Sequence, residues 1–278
     1  MATPTLSHHA LSGALGEILV DVRAASRDAR QPAVLLHHGF KGFKDYAFLP
    51  PFAERLARAG FTAVTVSVSG AGVDASGNFT RLERFARNTY SKELDDLGIV
   101  IRALSAGLLD TAIPSSLGLV GHSRGGGMAL CLARETPAIA AVSTWAAIGT
   151  ARRHTDAEIA AWRKAGTVDI LHERLRIRLP LHFDVADDCL LREDGRLNIP
   201  EAARSLERPW LQVHGTADQT VPFEEATALA AVAGAEHQSL FLEGADHTFG
   251  TKHPWGGSSP DSERLFDATV RFLSHTLD

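Results

Sequence analysis

From Leu117 to Gly125 the chain reads Leu-Gly-Leu-Val-Gly-His-Ser-Arg-Gly, a run that predicts a buried strand turning sharply into a helix. Such a turn exposes the serine above the sheet, and only small flanking residues tolerate its backbone. Gly121 and Gly125 supply that room, so the pattern predicts Ser123 as a nucleophile. The alternatives are a glycine-rich turn with an idle serine and a phosphate-binding turn. The second is disfavoured because no Gly-Lys-Ser/Thr ending follows.

Strands and helices alternate on both sides of this turn. Alternation of this kind predicts a mostly parallel sheet with helices on both faces, and catalytic groups on loops at the carboxyl ends of strands. The predicted strands are Leu15–Arg23, Ala33–Leu36, Phe61–Val68, Leu117–Val120, Ile139–Trp145, Trp210–Val213 and Gln238–Leu242. The predicted helices are Leu49–Ala59, Asn88–Ala106, Ser123–Arg134, Pro222–Val232 and Glu263–His275.

One segment, residues 149–206, lacks the regular strand-helix repeat. We interpret it as a cap inserted into a single α/β core formed by residues 1–148 and 207–278. Within the cap, Arg174, Arg176 and Arg178 alternate with Leu175, Ile177 and Leu179, as on an amphipathic strand. The arginine face is either solvated or turned toward the site, where it would attract substrates that carry a carboxylate.

In the fold for which a strand–serine–helix turn of this kind is typical, the acid and the base follow the serine in the order Ser, Asp or Glu, His. Asp218 follows the strand Trp210–Val213, and His247 follows the strand Gln238–Leu242. We therefore predict a catalytic triad of Ser123, Asp218 and His247. Asp246 is a weaker candidate for the acid because it adjoins His247, and His214 and His122 are interpreted as structural.

The loop His37-His38-Gly39-Phe40-Lys41-Gly42 follows the early strand Ala33–Leu36. In this position a backbone N–H stabilises an oxyanion together with the N–H of the residue after the nucleophile. The candidates are the N–H groups of Phe40 and Arg124. A metal site at His37 and His38 is disfavoured because adjacent strand side chains point to opposite faces and no other ligand stands at suitable spacing.

Four aromatic residues lie close in sequence to these motifs and are candidate substrate contacts: Phe43, Trp145, Phe249 and Trp255. Core packing is the alternative interpretation, and for Phe43 and Trp145 it is at least as well supported.

The composition of the 278 residues excludes several other classes of protein. The net charge of -5 and the absence of a basic stripe argue against nucleic acid as a partner. Only two cysteines, Cys131 and Cys189, are present, which suits a reducing, cytoplasmic location. No signal peptide and no run of 18 apolar residues are found, so no membrane association is expected. The oligomeric state is left open.

In combination, these segments resemble the α/β-hydrolase superfamily over almost the whole chain. The likeness is greatest to bacterial esterases of the feruloyl or cinnamoyl type and to dienelactone hydrolases. It is carried by His38-Gly39-Phe40, Gly121-His122-Ser123, His214-Gly215-Thr216, Asp218 and Glu243-Gly244-Ala245-Asp246-His247. The resemblance implies an α/β-hydrolase fold with an eight-stranded sheet and an inserted cap, and hydrolysis of a small-molecule ester through an acyl-enzyme, with no cofactor and no metal. Hydrolysis of an amide, a lactone or a peptide on the same triad, and a non-catalytic binding protein of this fold, remain as alternatives.

Overall fold

The computed structural model describes residues 3–173 and 175–277, which form ten strands and nine helices. The strands are β1 (Thr5–Gly13), β2 (Gly16–Ala24), β3 (Ala33–His37), β4 (Thr62–Ser67), β5 (Leu117–His122), β6 (Ile139–Trp145), β7 (Thr167–His172), β8 (Ile177–His182), β9 (Trp210–Gly215) and β10 (His237–Leu242). The helices are α1 (Leu49–Arg58), α2 (Leu82–Ala86), α3 (Tyr90–Ser105), α4 (Arg124–Glu135), α5 (Asp156–Ala165), α6 (Asp184–Arg192), α7 (Ile199–Arg204), α8 (Phe223–Val232) and α9 (Pro260–Thr276).

Eight of these strands form one sheet in the order β1-β2-β4-β3-β5-β6-β9-β10. The pairs β1–β2 and β2–β4 are antiparallel. The six strands β4, β3, β5, β6, β9 and β10 run parallel to one another. The predicted mostly parallel sheet is therefore confirmed. Its parallel strands place the loops after β3, β5, β9 and β10 at one edge, where open α/β sheets bind their ligands.

Helices cover both faces of the sheet, because side chains alternate along each buried strand. In β3, Ala33 and Leu35 pack into a hydrophobic cluster that also contains residues of α3, α4 and α8. Val34 and Leu36 point the other way, into a second cluster with residues of α1 and α9. All five residues of β3 are buried, as expected for a central parallel strand.

The segment between β6 and β9, which we interpret as the cap, consists of α5, the antiparallel hairpin β7–β8, α6 and α7. The boundaries predicted for it, 149 and 206, fall in the loops after β6 and before β9. Buried cap residues such as Trp162 and Leu179 belong to the same hydrophobic cluster as the sheet and helices beneath. The cap is therefore packed onto the core rather than built around a core of its own.

The arginine-rich stretch of the cap is not the single amphipathic strand that its alternation predicts. Arg174 lies outside the described residues, and the neighbouring positions form the turn of the β7–β8 hairpin. Arg176 has a φ of 56°, and the side chain of Leu175 is 41% exposed instead of packed. Only Arg178 lies on β8, with Leu179 buried beside it. The prediction that the three arginines share one face of a single strand is therefore wrong.

Within residues 3–173 and 175–277, no helix has both the length and the apolar character that crossing a bilayer requires. In the same residues, no three His, Cys, Asp or Glu side chains cluster as ligands of a metal ion.

Candidate active site

Ser123 occupies the sharp turn between β5 and α4. Its backbone has a φ of 57° and a ψ of −121°, a region that residues with a side chain rarely adopt. The surrounding hydrogen bonds hold it there: its N–H donates to the Trp145 carbonyl at 2.8 Å, and its carbonyl accepts from Gly126 at 2.9 Å and from Ile148 at 3.2 Å. The turn presents the hydroxyl at the carboxyl end of the sheet.

The glycines of the motif are required by close contacts between backbones. A Cβ atom at Gly121 would overlap the carbonyl of Gly125, and one at Gly125 would overlap the carbonyl of His38. At Gly126 it would lie 2.6 Å from the Cβ of Ala147. The helix can therefore begin directly against the sheet only because these positions lack side chains.

His247 connects the serine to an aspartate. Its Nε2 lies 3.0 Å from the Oγ of Ser123, and its Nδ1 lies 2.7 Å from Oδ2 of Asp218. The Asp218 carboxylate is buried, and its Oδ1 accepts hydrogen bonds from the backbone N–H groups of Thr220 and Val221 at 2.8 and 2.9 Å. The three side chains predicted as a triad thus form one continuous hydrogen-bonded chain.

The loops that carry Asp218 and His247 are tied to each other. Gly215, at the end of β9, allows the carbonyl of Ala245 to approach so closely that a Cβ would overlap it. The same carbonyl accepts from the N–H of Ala217 at 3.1 Å, and the Thr216 Oγ1 accepts from the N–H of Gly244 at 2.9 Å. These contacts fix the distance between the acid and the histidine through the backbone.

Asp246, the competing acid, has a different task. Its Oδ1 accepts hydrogen bonds from the N–H groups of Thr248 and Gly250 at 2.9 and 2.8 Å, and so stabilises the turn that follows His247. Of these two carboxylates, that of Asp218 lies within hydrogen-bond distance of His247.

A second histidine reaches Asp218 from the buried side, which the sequence did not indicate. The Nε2 of His214 lies 2.9 Å from the carbonyl of Val221 and 3.3 Å from Oδ2 of Asp218. Burial of Asp218 favours its neutral form, but hydrogen bonds from His214 and His247 outweigh this effect and hold the pKa of the carboxyl well below its usual range. Asp218 is therefore a carboxylate at neutral pH, as a partner of His247 must be.

The loop after β3 brings backbone N–H groups to the serine. A Cβ at Gly39 would lie 3.0 Å from the Cβ of Ser123, so this loop passes directly over the turn. Among the hydrogen bonds of residues 3–173 and 175–277, none has the N–H of Phe40 or of Arg124 as its donor. Phe40 and Arg124 both line the cavity at Ser123. Free N–H donors in this position can stabilise a developing negative charge by hydrogen bonding.

A buried polar cluster lies behind this loop. The Arg124 guanidinium pairs with Glu93, with Nε 3.2 Å from Oε2 and Nη2 3.1 Å from Oε1. The Nε2 of His37 lies 3.5 Å from Oε2 of the same carboxylate, and Asn88 donates to Oε1 at 2.7 Å. The Nδ1 of His38 lies 2.8 Å from the carbonyl oxygen of Gly39. The two histidines therefore serve the loop and the ion pair.

Two buried histidines of the site make the stability of the protein sensitive to pH. Burial, reinforced by the neighbouring His247, lowers the pKa of His122 to about 3, and burial together with His37 lowers the pKa of His38 to about 4. An unfolded histidine has a pKa of about 6.5. Below that pH the unfolded chain takes up protons that the folded chain refuses, so stability is complete above about pH 6.5 and is lost as the pH falls.

We expect the free energy of unfolding to decrease by about 1.4 kcal/mol per pH unit for each of these histidines between about pH 6.5 and 4. Urea unfolding at pH 7.5, 6, 5 and 4.5 measures the slope. His122→Gln is the matched control, because its amide can still donate to the His247 carbonyl, which His122 Nε2 contacts at 2.9 Å, but cannot titrate. A slope that is the same in this variant and in the wild type would contradict the prediction.

A cavity of about 280 Å³ opens onto Ser123 between the core and the cap. The core contributes Tyr90, Arg124 and Val221, and the cap contributes mostly apolar side chains, among them Trp162 and Leu181. A small cavity with an apolar wall and a few polar groups beside the hydrogen-bonded Ser123 is the usual form of a binding site for a small molecule.

The four aromatic residues predicted to contact substrate do not line this cavity. Trp145 and Phe249 are fully buried in the core, and the indole N–H of Trp145 donates to Thr269 Oγ1 at 3.0 Å. Phe43 is buried against Tyr46 and His253, and the half-buried Trp255 stacks on Phe266. Nearness in sequence to a motif did not reveal the direction of these side chains.

Other residues that line the cavity come from the beginning of α3 and from the cap, and little in the sequence indicated them. Tyr90 opens α3 directly after the N-cap residue Thr89, and this position is far in sequence from Ser123. Trp162 lies on α5, whose amphipathic pattern is the one local signal that a cap side chain would be buried.

The comparison with sequence families agrees with the arrangement of these loops. The model of the alpha/beta hydrolase family matches residues 34–259, a range that includes the serine turn and both partner loops. No curated protein sequence matches the chain.

Several solved structures have the same fold over nearly their entire length. The esterase domain of a Rhodothermus marinus protein is 19% identical with a TM-score of 0.68, and 99% of this chain and 100% of that chain are covered. A dienelactone hydrolase from Anabaena variabilis is 16% identical with a TM-score of 0.65, with coverage of 99% and 100%. Est1E from Butyrivibrio proteoclasticus is 15% identical with a TM-score of 0.70, with coverage of 97% and 98%. At identities this low, the structural match establishes a common fold and nothing more specific.

Proposed function

Because the chain belongs to the alpha/beta hydrolase family, we propose that it is a serine hydrolase that cleaves carboxylic esters through an acyl-enzyme on Ser123. The observation that carries this proposal is the position of His247, which lies within hydrogen-bond distance of both Ser123 and Asp218. A serine hydroxyl is a poor nucleophile unless a base removes its proton, and a base is effective only in the correct tautomer. One residue meets both requirements here.

In the first half of the reaction, the Oγ of Ser123 attacks the carbonyl carbon of the ester while its proton passes to Nε2 of His247. The N–H groups of Phe40 and Arg124 stabilise the oxyanion that forms. Asp218 accepts the Nδ1–H of His247 and stabilises the imidazolium. The imidazolium then protonates the leaving alcohol oxygen, the bond between the carbonyl carbon and that oxygen breaks, and the acyl group remains on Ser123.

In the second half, a water molecule replaces the alcohol. His247 removes a proton from this water as it attacks the acyl carbonyl, and the same N–H groups stabilise the second oxyanion. Collapse of that intermediate releases the carboxylic acid and returns the proton to Ser123. His214 supports both halves indirectly, because its Nε2 lies 3.3 Å from Oδ2 of Asp218 and helps to lower the pKa of that carboxyl.

Two findings support an ester as the substrate. Solved structures with this fold include an esterase domain, and Est1E has been crystallised with ferulic acid. The cavity at Ser123 is small and largely apolar, which suits the carbon skeleton of a small ester.

Labelling with a fluorophosphonate probe tests the nucleophile, and a substrate panel tests the bond that is cleaved. We expect stoichiometric modification of Ser123, located by peptide mass spectrometry, and faster hydrolysis of aryl, alkyl or hydroxycinnamoyl esters than of matched amides and lactones. Absence of labelling would favour a non-catalytic binding protein. Faster cleavage of the amides or lactones would keep the triad and reject the ester.

A further inference from the structure

Several polar side chains line the cavity at Ser123, and two of them stack on each other. Tyr90 and Arg124 both line the cavity, although they are only 6% and 4% exposed. The centre of the Arg124 guanidinium lies 3.7 Å from the centroid of the Tyr90 ring, so the two groups stack on each other. Because Arg124 directly follows Ser123 in the chain, this pair is adjacent to the reacting group.

Only one edge of the Arg124 guanidinium is used by the protein. Nε and Nη2 face Glu93, and Nη2 also donates to the carbonyl of Asn88 at 3.3 Å. Nη1 and the hydroxyl of Tyr90 form no hydrogen bond with any residue in 3–173 or 175–277, and neither is among the fully buried polar atoms there that lack a partner. Both atoms therefore keep some accessible surface. Because Tyr90 and Arg124 both line the cavity, we assign this accessible surface to the cavity.

Each arginine that lines the cavity has a carboxylate partner in the protein. Glu93 neutralises Arg124 from behind. Of the two other arginines that line the cavity, Arg153 pairs with Glu225 at 2.6 Å, and Arg152 forms ion pairs with cap carboxylates. A carboxylate on the substrate would thus add an uncompensated charge to a site of low polarity, which is costly. A neutral oxygen can accept from the free donors without that cost.

We propose that the Tyr90 hydroxyl and Arg124 Nη1 bind a neutral oxygen acceptor, such as an ether or keto oxygen, on the part of the substrate that occupies the cavity. The substrate class is then an ester whose acyl or alcohol chain carries a further oxygen atom, rather than an ester with purely hydrocarbon chains. This inference rests on the proposed ester hydrolysis for its substrate class. The free donors are a property of the cavity and can be tested by binding alone.

The test compares isosteric esters in the wild type and in Tyr90→Phe, which removes only the hydroxyl and keeps the ring that stacks on Arg124. The acyl series is 4-nitrophenyl hexanoate, propoxyacetate and 3-ethoxypropanoate, and the alcohol series is butyl acetate and 2-methoxyethyl acetate. The quantity measured is the ratio of kcat/KM for each ether ester to that for its hydrocarbon isostere. Differences in intrinsic reactivity cancel when this ratio is compared between proteins.

We expect the ratio for at least one ether ester to fall about three- to tenfold in Tyr90→Phe, the range of one hydrogen bond between neutral groups. Arg124→Lys, which keeps the charge near Glu93 but lacks the second edge of the guanidinium, should lower the same ratio. Tyr46→Phe, the corresponding change at the other tyrosine of the chain, is the matched control and should leave the ratio at its wild-type value.

Ratios that change less than twofold in both Tyr90→Phe and Arg124→Lys would overturn the proposal. So would a wild-type preference for 4-nitrophenyl hydrogen adipate over the ether esters, which would assign the donors to a carboxylate. Binding of the same esters to Ser123→Ala, measured by calorimetry with and without Tyr90→Phe, separates the two proposals. A difference in binding that persists when the wild type hydrolyses no ester would reject the esterase function and keep the polar site.

Discussion

Replacing Ser123 by alanine should lower the turnover of a good ester such as 4-nitrophenyl butanoate by about four to six orders of magnitude while the protein stays folded. His247→Ala should have an effect of similar size. The reason is that the nucleophile and its base act as a unit, so the loss of either removes the covalent route. Steady-state rates together with circular dichroism and thermal unfolding measure both parts of this prediction.

Ser143→Ala provides a matched control for Ser123→Ala. Ser143 is a fully buried serine on the neighbouring strand β6, and its hydroxyl has no hydrogen-bond partner in residues 3–173 and 175–277. Its removal should leave the rate within about twofold of the wild type. A Ser123→Ala protein that retained more than about a tenth of the wild-type rate would rule Ser123 out as the nucleophile.

Asp218→Asn is expected to have the next largest effect, a loss of about three to four orders of magnitude in kcat. An asparagine keeps the volume of the side chain but can present an N–H to His247, which would then adopt the wrong tautomer. It also cannot stabilise the imidazolium by charge. The second histidine near this position, His214, has no negative charge and therefore does not substitute for the missing carboxylate.

The control for Asp218→Asn is the same change at Asp246. Its carboxylate accepts from the N–H groups of Thr248 and Gly250, and an asparagine carbonyl can accept the same bonds. Asp246→Asn should therefore keep kcat within a few fold of the wild type. If Asp246→Asn reduced kcat more than Asp218→Asn does, the acid of the proposed triad would have to be reassigned.

Much of the sheet could be predicted because its hydrophobic pattern is local. The prediction for β6, Ile139–Trp145, coincides with the observed strand, and the family resemblance inferred from the combined motifs is confirmed by the family match. The edge strand β1 was not predicted. It alternates exposed and half-buried residues, with Leu6 46% exposed, and it is held by pairing with β2 along its entire length. That interaction leaves little trace in the local sequence.

The cap shows the limit of periodicity as a signal. The alternation around Arg176 has the period of a strand, but the chain turns there. The pattern covers the hairpin turn and the beginning of β8. Period alone does not reveal a hairpin turn that lacks the usual Asn-Gly or Gly-Gly residues.

The candidate site also contains residues that could be predicted from the sequence and residues that could not. Ser123, Asp218 and His247 could be placed because each follows a strand, and parallel strands bring such loops to one edge of the sheet. The cavity could not be predicted, since Tyr90 and Trp162 reach it from distant segments and nothing local indicates the direction of their side chains. For Trp145 the sequence left substrate contact and core packing open; its carbonyl accepts a hydrogen bond from the N–H of Ser123, and its ring is buried in the core.

The backbone conformation of Ser123 bears on how this chain can evolve. A residue with a side chain at a φ of 57° and a ψ of −121° carries strain of about 1–3 kcal/mol, which a glycine would not. Selection for thermal stability alone would therefore favour glycine at this position and produce a sturdier but inert protein. On the proposed mechanism, a serine at this position exchanges part of the stability of the fold for a reactive hydroxyl group.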